Sequence, residues 1–600
     1  MADDSTFGRF LLNEYLPRKY HIGSNAGKKD INKKMNAFAR EDSREYTKAI
    51  TKLKKVGDHL ATTEGLSVGL DDISPDYGRR NALMRRYTQR FDTATTDKQR
   101  SQIAEQAQSK FIETALEHPG SMTQQVRSGA RGNAVQYSKI VASPANARDA
   151  QGRTVPWLIR SSYSEGLKPA DYWAAGNEAI LDTIKSTVSV SEPGELSKIL
   201  VSNMSDIVVT ETDCGTMNGI VKPVDSTNLM DRYLARKTGT VDAGTLITPD
   251  IQNRLARTRK DNIMVRSPMT CEASDGICQK CQGLNERGHV HEFGTNVGIR
   301  AAQAMSEPLT QFALNAKHGV RTAKSERTQL QGISGFRQII ESPKQFLNKA
   351  TLAEEDGKVT SVEKAPQGGH FVHVGKTKHY VNPNFDVLVK KNSTVERGDR
   401  LGEGIPKPDE IVKHKGLGAG RLYMVNLLKD LYKTQGYDLD QRHFELLAKG
   451  ELDYARILRD PGNKFIPGDI VGYNTLRAEL GKDTKEVSLQ DGLGETLGKN
   501  YLHFSAGSRV TPSMVKTLDK AEVKNLHIAP RAPEIEFVMK PATRAPLLHP
   551  DWMARLAHRN LKATIQQAAH FGDISNLHGT HPVPAYAYGV DFGKGEKGRY

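Results

Sequence analysis

Cys271-Glu-Ala-Ser-Asp-Gly-Ile-Cys278-Gln-Lys-Cys281 holds three of the four cysteines in this 600-residue chain. The Cys278-x2-Cys281 spacing lets two thiolates bind one metal ion without straining the backbone, and Gly276 permits the tight return before it. The fourth cysteine, Cys214, lies far upstream at a turn-like Asp-Cys-Gly. Four thiolates describe a closed tetrahedral zinc site with a structural role, and this is the site that we predict.

Two alternatives to the four-cysteine site stay open at this level. Cys278 and Cys281 alone would form a redox-active Cys-x-x-Cys pair, with the other two cysteines unrelated to it. His289 and His291 also follow closely enough to replace one thiolate as a zinc ligand.

Length, composition and charge indicate a multidomain globular protein with a polyanionic partner. Six hundred residues are too many for one hydrophobic core, and 26% charged with 37% hydrophobic residues suit globular domains. The formal net charge is +15, and the basic residues are spread along the whole chain. This spread favours a channel lined for nucleic acid over a disordered basic arm, with an ordinary basic protein as the alternative.

The sequence predicts neither a membrane span nor a secretion signal. Its hydrophobic runs are too short to cross a bilayer, and residues 1–9 lack the apolar region of a signal peptide. We therefore expect a reducing cytoplasm, where four cysteines are better suited to a metal site than to a disulfide framework.

Hydrophobic periodicity and breaker residues predict a mainly helical chain of mixed α+β class. Within one predicted helix, Ser306 is expected as a cap and Pro308 in the first turn. A β-rich stretch is expected from about 344 to 405. The predicted helices are 40–62, 77–118, 170–206, 297–318, 419–434 and 551–569, and the predicted strands are 369–375, 379–381 and 386–389.

Three further stretches carry polar groups that need an explanation. Residues 65–72 predict a short strand and turn that ends in two aspartates, which are expected as caps rather than metal ligands. Residues 127–137 predict a glycine-flanked loop that leads into a helix and leaves Arg131 free to approach a phosphate. Within 297–318, four side chains share one helix face at i, i+3, i+4 and i+7: Gln311, Leu314, Asn315 and His318. That mainly polar face favours contact with a substrate over packing.

Taken together, these stretches resemble the bacterial-type β′ subunit of multisubunit DNA-dependent RNA polymerase. The cysteine positions resemble its second zinc site, and residues 298–318 resemble its trigger loop. Residues 128–133 resemble the loop beside the active centre, and residues 164–167 the segment that leads to the bridge helix. Residues 65–72 resemble a segment of the family that lies further upstream in its sequence. Residues 541–588 resemble the switch region and C-terminal clamp. The matches keep the same order along the chain, and that shared order is specific.

The resemblance implies template-directed RNA synthesis, in which an RNA 3′ hydroxyl attacks a nucleoside triphosphate and releases pyrophosphate. Two Mg²⁺ ions assist this reaction, held by an Asp-Phe-Asp-Gly-Asp-type cluster. The present sequence does not contain that cluster. We therefore expect this chain to be active only in a complex, as a C-terminal half whose Mg²⁺ ligands belong to the N-terminal half of β′. A subunit split in this way looks like the split polymerases of giant bacteriophages.

By position, the resemblance also implies roles for individual residues. Leu314 would pack on the nucleotide base, Gln311 would lie near the sugar, and His318 would reach the phosphates as a positional catalyst or proton donor. Arg131 would contact the triphosphate, and Arg544 would meet the DNA backbone.

The chain departs from the family at two places. Asn315 stands where the family usually has arginine, so a phosphate contact is weakened or supplied elsewhere. The bridge segment, 182–196, is about three residues longer and contains Pro193, which should break or kink the helix. The bridge centre falls on Ser186, Thr187 and Val188.

The resemblance further implies a domain order and a set of partners. The expected domains are an N-terminal helical region like the secondary-channel rim (1–120), an active-site loop with the bridge helix (121–211), a zinc-binding region (212–285), a trigger loop (286–343), a β-rich module (344–410) and a C-terminal clamp with the switch region (411–600). The expected partners are the other half of β′, β-type chains, a promoter-recognition subunit, template DNA, RNA and nucleoside triphosphates, in the cytoplasm of a bacterial host or in a virion. A catalytically inactive zinc protein that binds nucleic acid, and a purely structural scaffold, are the alternatives.

Overall fold

The computed structural model describes residues 6–24, 26–63, 68–149, 154–188, 191–258, 261–274, 276–315, 330, 332–548, 552–556, 561–572 and 574. The chain divides into two compact units, a first unit of residues 1–187 and a second unit of residues 188–600. The predicted class is confirmed, because the described residues form a mixed α+β structure that is mostly helical. None of the helices in these ranges is long and apolar enough to span a membrane.

The first unit is built from helices. In chain order they are α1 (Phe7–Glu14), α2 (Lys28–Glu41), α3 (Ser43–Thr63), α4 (Leu70–Ile73), α5 (Tyr77–Asp92), α6 (Asp97–Leu116), α7 (Ser121–Ser128), α8 (Ala134–Val141) and α9 (Pro169–Val188). A small core between α5 and α6 includes Tyr87, Phe91 and Phe111. A separate core joins α1, α2 and α3 through Tyr20, Phe38 and their neighbours.

Two predictions for the first unit were wrong. The helix predicted over 77–118 is two helices, because Thr96 caps a new helix by accepting a hydrogen bond from the Gln99 backbone N–H. Residues 70–73 form a short helix instead of the turn predicted at the end of 65–72. The expected capping role of Asp72 is confirmed, since its carboxylate accepts hydrogen bonds from the backbone N–H groups of Gly69 and Ser121.

The second unit is centred on a helical core. Its main helices are α10 (Ser191–Asn203), α11 (Pro249–Ala256), α12 (Gln279–Gln282), α13 (Val297–Asn315), α14 (Gly332–Glu341), α15 (Pro408–Lys415), α16 (Leu417–Thr434) and α17 (Gln441–Glu451). Tyr432 of α16 lies at the centre of this core, where its ring packs against Phe312 and Phe444 at centroid distances of 4.9 and 5.1 Å. Its hydroxyl donates a 2.7 Å hydrogen bond to the carbonyl oxygen of Met305.

Prolines lie at unexpected positions in two of these helices. Helix α13 runs through Pro308, and Ser306 does not cap it but donates to the carbonyl oxygen of Ala302 at 2.7 Å. Burial of Met305 and Phe312 on the same face supports the helix across the missing N–H. Pro193 is the third residue of α10, in a first turn that tolerates proline, so it does not interrupt a continuous helix. Helix α9 ends before it, at Val188.

Short strands in the second unit occur between its main helices in the sequence and pair with one another. Strand β1 (Val209–Glu211) is parallel to β4 (Ile277–Cys278), and β2 (Ile220–Pro223) is antiparallel to β3 (Asn262–Val265). A four-stranded antiparallel sheet has the order β7 (Thr377–Val381), β6 (His370–Val374), β5 (Gly357–Lys364), β8 (Thr394–Val395). Two of the strands predicted there are confirmed, but 386–389 forms only one isolated bridge, between Val387 and Gly402.

The last part of the second unit mixes short strands and helices. A three-stranded sheet has the order β10 (Ile470–Gly472), β9 (Tyr454–Arg459), β13 (Glu534–Val538), and β11 (Lys485–Ser488) pairs with β12 (Asn525–Ile528). The remaining helices are α18 (Tyr473–Leu480), α19 (Pro512–Lys520), α20 (Trp552–Leu556) and α21 (Leu561–Phe571). The helix predicted over 419–434 is confirmed as α16.

Partly buried histidines should make the second unit sensitive to acid. Burial lowers the pKa of His503 to about 4, and burial together with the neighbouring Arg397 lowers the pKa of His414 to about 4. Because the unfolded side chains titrate near 6.5, stability is intact above that pH and is lost as the pH falls towards 4. Each histidine contributes at most about 3 kcal/mol to this loss.

We expect the His503→Gln variant to lose stability less steeply than the parent chain between about pH 6.5 and 5. Urea unfolding at each pH measures this, and comparing variants at one pH cancels the acid effects that are common to all of them. The exposed His289 supplies the control, since His289→Gln should keep the parent slope. Equal slopes for all three proteins would contradict the assignment.

Candidate functional site

The four cysteines come from four separate short elements that meet at one point. Cys214 follows β1, Cys271 ends a 3-10 turn at Pro268–Thr270, Cys278 ends β4, and Cys281 lies in α12. The parallel pairing of β1 with β4 brings the distant Cys214 beside the other three. Gly276 has a φ of +56°, and a Cβ there would lie 2.1 Å from the carbonyl oxygen of Val208, so only glycine fits this return.

The geometry of the cluster fits a tetrahedral metal ion. All four Sγ atoms lie within 4.8 Å of one another, with Cys214 at 3.7 Å from Cys281 and 3.9 Å from Cys271. A tetrahedron with Zn–S bonds of about 2.3 Å has S···S edges of about 3.8 Å, close to the two distances from Cys214. The interpretation as an isolated Cys-x-x-Cys pair is therefore wrong. Neither His289 nor His291 belongs to the cluster.

Backbone N–H groups surround the sulfur atoms and prepare them for negative charge. The N–H groups of Glu272, Cys278 and Cys281 donate to the Sγ atoms of Cys214, Cys271 and Cys278, at 3.4, 3.4 and 3.3 Å. Hydrogen bonding with Cys271, and after it with Cys281, lowers the pKa of Cys214 to about 6 against the effect of burial. All four positions around a central ion are filled by protein, which leaves no open position for catalysis.

Arg266 is the charged neighbour of the cluster that the sequence did not reveal. Its buried guanidinium donates to Cys281 Sγ at 3.2 Å and to Cys214 Sγ at 3.3 Å, and it also donates to Asp213 at 2.7 Å. Burial opposes its charge, but the thiolate of Cys281 and the carboxylate of Asp213 outweigh burial and raise the pKa of Arg266. A Zn²⁺ ion bound by four thiolates would carry a net charge of −2, and this guanidinium would partly offset it. No spacing signal marks Arg266, because its role depends on the fold.

Arginines from α16 and α17 bind the backbone of the cysteine segment, by which we mean residues 267–284 around Cys271, Cys278 and Cys281. Arg421 of α16 donates to the carbonyl oxygen of Met269 at 2.9 Å. Arg442 of α17 donates to the carbonyl oxygens of Gln282 and Leu284 at 3.0 and 2.7 Å. These bonds satisfy backbone acceptors on both sides of the cluster, and they join residues more than 150 positions apart.

A buried ion pair makes a further connection between α17 and the cysteine segment. Arg232 and Glu445 are 1% and 0% exposed and are joined by two hydrogen bonds of 2.9 and 2.7 Å. Ser267 also donates to Glu445 at 2.7 Å. The cysteine segment is thus anchored by directional polar contacts as well as by apolar packing.

The other predicted site residues are distributed over both units. Gln311 is exposed on α13, while Leu314 and Asn315 belong to its last turn and their side chains lie outside the described residues. His318 also lies outside the described residues. Arg544 is exposed in the second unit, shortly after β13 along the chain.

The remaining predicted residues belong to α9 or to the loop before α8. Arg131 is exposed between Gly129 and Gly132, which both have positive φ angles, and this loop leads into α8 as predicted. Thr187 is exposed near the end of α9. Ser186 and Val188 lie in the same helix, but their side chains are outside the described residues.

A tyrosine contact to Gln311 was not visible from the sequence. The hydroxyl of Tyr437 donates to Gln311 Oε1, and the Tyr437 ring lies 5.4 Å from that of Phe312. Because the amide oxygen is occupied, the amide nitrogen of Gln311 remains as the group that can donate elsewhere.

Comparison with known proteins shows which family and which relatives this chain is similar to. Residues 166–459 match the family described as RNA polymerase Rpb1, domain 5. The matched stretch contains all four cysteines, α9 and α13.

The chain is also distantly homologous to bacterial proteins named DNA-directed RNA polymerase subunit beta'. It is 27% identical over 509 residues to that of Tropheryma whipplei, which is 78% of this chain and 39% of the relative. It is 26% identical over 514 residues to that of Staphylococcus aureus and 27% identical over 515 residues to that of Staphylococcus epidermidis, in each case 78% of this chain and 42% of the relative. The chain thus spans about two fifths of the length of the curated relatives that it matches.

Proposed function

We propose that this chain is a subunit of a DNA-directed RNA polymerase and forms the nucleotide-addition side of a shared active centre. The observation that carries the proposal is the Rpb1 domain 5 match over 166–459, which runs from the start of α9 through the cysteine cluster to β9. The β′-like sequence over 78% of the chain supports it. In this proposal α9 corresponds to the bridge helix, with its centre at Ser186, Thr187 and Val188, and α13 begins the trigger loop.

The proposed roles follow the positions on α13 and beyond it. A loop that folds over a bound nucleotide excludes water and aligns the reacting groups. Gln311 would contact the sugar, Leu314 would pack on the base, and His318 would position or protonate the leaving pyrophosphate. Asn315, which is uncharged, would not supply the phosphate contact of an arginine.

Two arginines would complete the contacts with nucleic acid and nucleotide. Arg131 has the exposure and the glycine-flanked loop that a triphosphate contact needs, because backbone and guanidinium can both approach the phosphates. Arg544 would bind the DNA backbone, which fixes position without reading sequence.

The metal ions would be divided between this chain and a partner. The four cysteines would hold a structural Zn²⁺ ion, as their geometry fits it. The described residues contain no cluster of carboxylates that fits Mg²⁺, and the 600-residue sequence lacks the aspartate motif of the family. The catalytic Mg²⁺ ligands would therefore come from a polypeptide segment outside these residues, which we propose is the N-terminal half of β′.

The proposed complex contains that other half, β-type chains and a promoter-recognition subunit around template DNA, RNA and nucleoside triphosphates. Its proposed location is the cytoplasm of a bacterial host or a virion, and the proposed type is a split polymerase like those of giant bacteriophages. We also propose that the chain has the six domains predicted from the sequence, with the bounds given there.

Purification of the assembled complex tests the function directly. We expect a co-purifying polypeptide with the Asp-Phe-Asp-Gly-Asp-type cluster, and extension of an RNA primer on a DNA template by the purified complex. The inactive nucleic-acid-binding alternative predicts template binding with no primer extension. The scaffold alternative predicts neither extension nor salt-dependent DNA binding.

The contact between Tyr437 and Gln311 gives a finer test of the active-centre role. Tyr437→Phe should raise the KM for nucleoside triphosphates about five- to tenfold with little change in kcat, because one net hydrogen bond of about 1 kcal/mol is lost. Rapid-quench primer extension by the complex measures both constants. The ring contact with Phe312 is kept, so the fold should be unaffected.

The control for this variant is another tyrosine hydroxyl in the second unit. Tyr423 donates to the carbonyl oxygen of Pro406 at 2.8 Å, and Tyr423→Phe should leave the KM unchanged. In addition, Tyr437→Phe should have no further effect on the KM once Gln311→Ala is present, because Tyr437 acts through Gln311. Independent, additive effects of the two substitutions would exclude the positioning role.

A further inference from the structure

Helix α3 carries a row of basic side chains along one exposed face. Arg44, Lys48, Lys52, Lys55 and His59 follow one another at spacings of four, four, three and four residues. Such spacing keeps side chains on the same side of an α-helix, and all five are exposed. From Arg44 to Lys55 the row extends for about 16 Å at 1.5 Å per residue. We call these five residues the basic stripe.

The opposite side of α3 explains why the basic stripe faces outward. Tyr46, Ala49, Leu53, Val56 and Leu60 are buried or half-buried at spacings of three, four, three and four residues. Three of them pack in the small core that α3 shares with α1 and α2. This core fixes the rotation of the helix, so the basic residues form a rigid row.

Positive charge exceeds negative charge on α3, although Glu45 and Asp58 lie on the same helix. Within the described part of the chain, Arg44, Lys52 and Lys55 form no ion pair with an acidic side chain. Lys48 pairs with Glu45 at 2.6 Å, but both side chains are more than half exposed, and such pairs contribute little in water. Lys54 also pairs, with Asp58, but it lies on another face of the helix.

We propose that the basic stripe is a docking surface for the phosphate backbone of duplex DNA. A duplex presents one negative charge per about 1.7 Å along its axis, so a straight row of cations about 16 Å long meets several phosphates at once. Helix α3 contains one aromatic residue, Tyr46, and it faces the core rather than the stripe. Single strands are bound largely by stacking on exposed aromatic rings, which favours the duplex as the occupant.

The inference rests on the proposed function, because DNA is the polymer that such a subunit would meet, and it names a surface that the proposed active-centre roles do not use. Contacts of this kind carry no base recognition, so they would hold a duplex in position without regard to its sequence. Their free energy arises mainly from the release of counterions and is therefore sensitive to salt.

Fluorescence anisotropy of a labelled DNA duplex with the full chain tests the proposal. The variant combines Arg44→Gln, Lys52→Gln and Lys55→Gln. Between about 50 and 200 mM salt, its plot of log affinity against log salt should be shallower than that of the parent by about 2 to 3, with affinity reduced about tenfold or more. The parent should bind the duplex more tightly than a single strand of the same sequence.

A charge-matched control combines Lys516→Gln, Lys520→Gln and Lys524→Gln, three exposed lysines of the second unit. An equal loss of affinity in this control, or parent-like binding by the stripe variant, would overturn the proposal. The proposal would also be overturned if the stripe variant bound DNA as the parent does but no longer assembled with an acidic partner subunit. Primer extension by the assembled complex is measured separately, so a failure of the polymerase assignment is distinguishable from a failure of the stripe.

Discussion

Cys278→Ser should remove stoichiometric zinc from the purified chain and unfold the region around the cysteine cluster. Cys278 is fully buried, and its sulfur is within 4.8 Å of the other three. A serine hydroxyl is a poor zinc ligand, and structural zinc contributes on the order of 10 kcal/mol to the folding of small zinc domains. We therefore expect the free energy of unfolding of the second unit to fall by at least several kcal/mol.

The effect should be larger than that of an ordinary buried substitution because the cluster is charged. Without the metal ion, Arg266 remains 4% exposed and loses the negative charge of a metal–thiolate cluster, so that Asp213 is left as its carboxylate partner. Removing part of the charge that balances a buried guanidinium is destabilising. The contacts of Arg421 and Arg442 to the same segment would transmit the loss to α16 and α17.

Metal analysis together with thermal unfolding checks this prediction. The parent chain should contain one zinc ion, and a chelator should lower its Tm towards that of Cys278→Ser. Ser274→Ala, an exposed change within the same cysteine-rich segment, should retain both zinc and Tm. Retention of zinc by Cys278→Ser with an unchanged Tm would contradict the four-thiolate site.

His318→Ala should slow single-nucleotide addition by the assembled complex about 100- to 10,000-fold, the usual range for a general acid or base. Zinc content and assembly should be unchanged, because the cluster and its anchoring arginines are untouched. Stopped-flow or rapid-quench addition at saturating nucleotide separates this chemical step from binding.

A second substitution at the same position distinguishes the two roles proposed for His318. Glutamine can make a hydrogen bond to a phosphate but cannot deliver a proton at neutral pH. A rate for His318→Gln near that of the parent indicates a positional role, and a rate near that of His318→Ala indicates proton transfer. His289→Ala is the control for a histidine outside the proposed centre. Parent-like rates for both His318 variants would remove His318 from the mechanism.

The sequence was sufficient for features that depend on short separations along the chain. A Cys-x-x-Cys turn and a preceding glycine place thiolates together through local geometry, and the cluster is confirmed with its Gly276 return. Helix periodicity is likewise local, so α13 and α16 were predicted close to their bounds. The glycine-flanked loop at Arg131 was also predicted, since positive φ angles at glycine are a property of the backbone itself.

Predictions failed where a tertiary contact outweighs a local preference. Pro308 would normally begin a helix, but packing of Met305 and Phe312 against the helical core carries α13 through it. Residues 386–389 have the composition of a strand but form only one bridge, because a strand requires a paired neighbour along its length.

The sequence by itself therefore determined the four cysteines that form the cluster, the helical character of the chain and its β′-like order of motifs. Only the tertiary structure decided which side chains surround those features. Arg266 donates to the sulfur atoms of the cluster, and Arg442 donates to the carbonyl oxygen of Gln282, which is 160 residues away in the sequence. Tyr437 donates to Gln311, from which it is separated by 126 residues. The physical reason is that thiolate spacing and helix periodicity act within a few residues. A buried guanidinium or a single hydroxyl, in contrast, acquires its role only when folding removes water and supplies its partner.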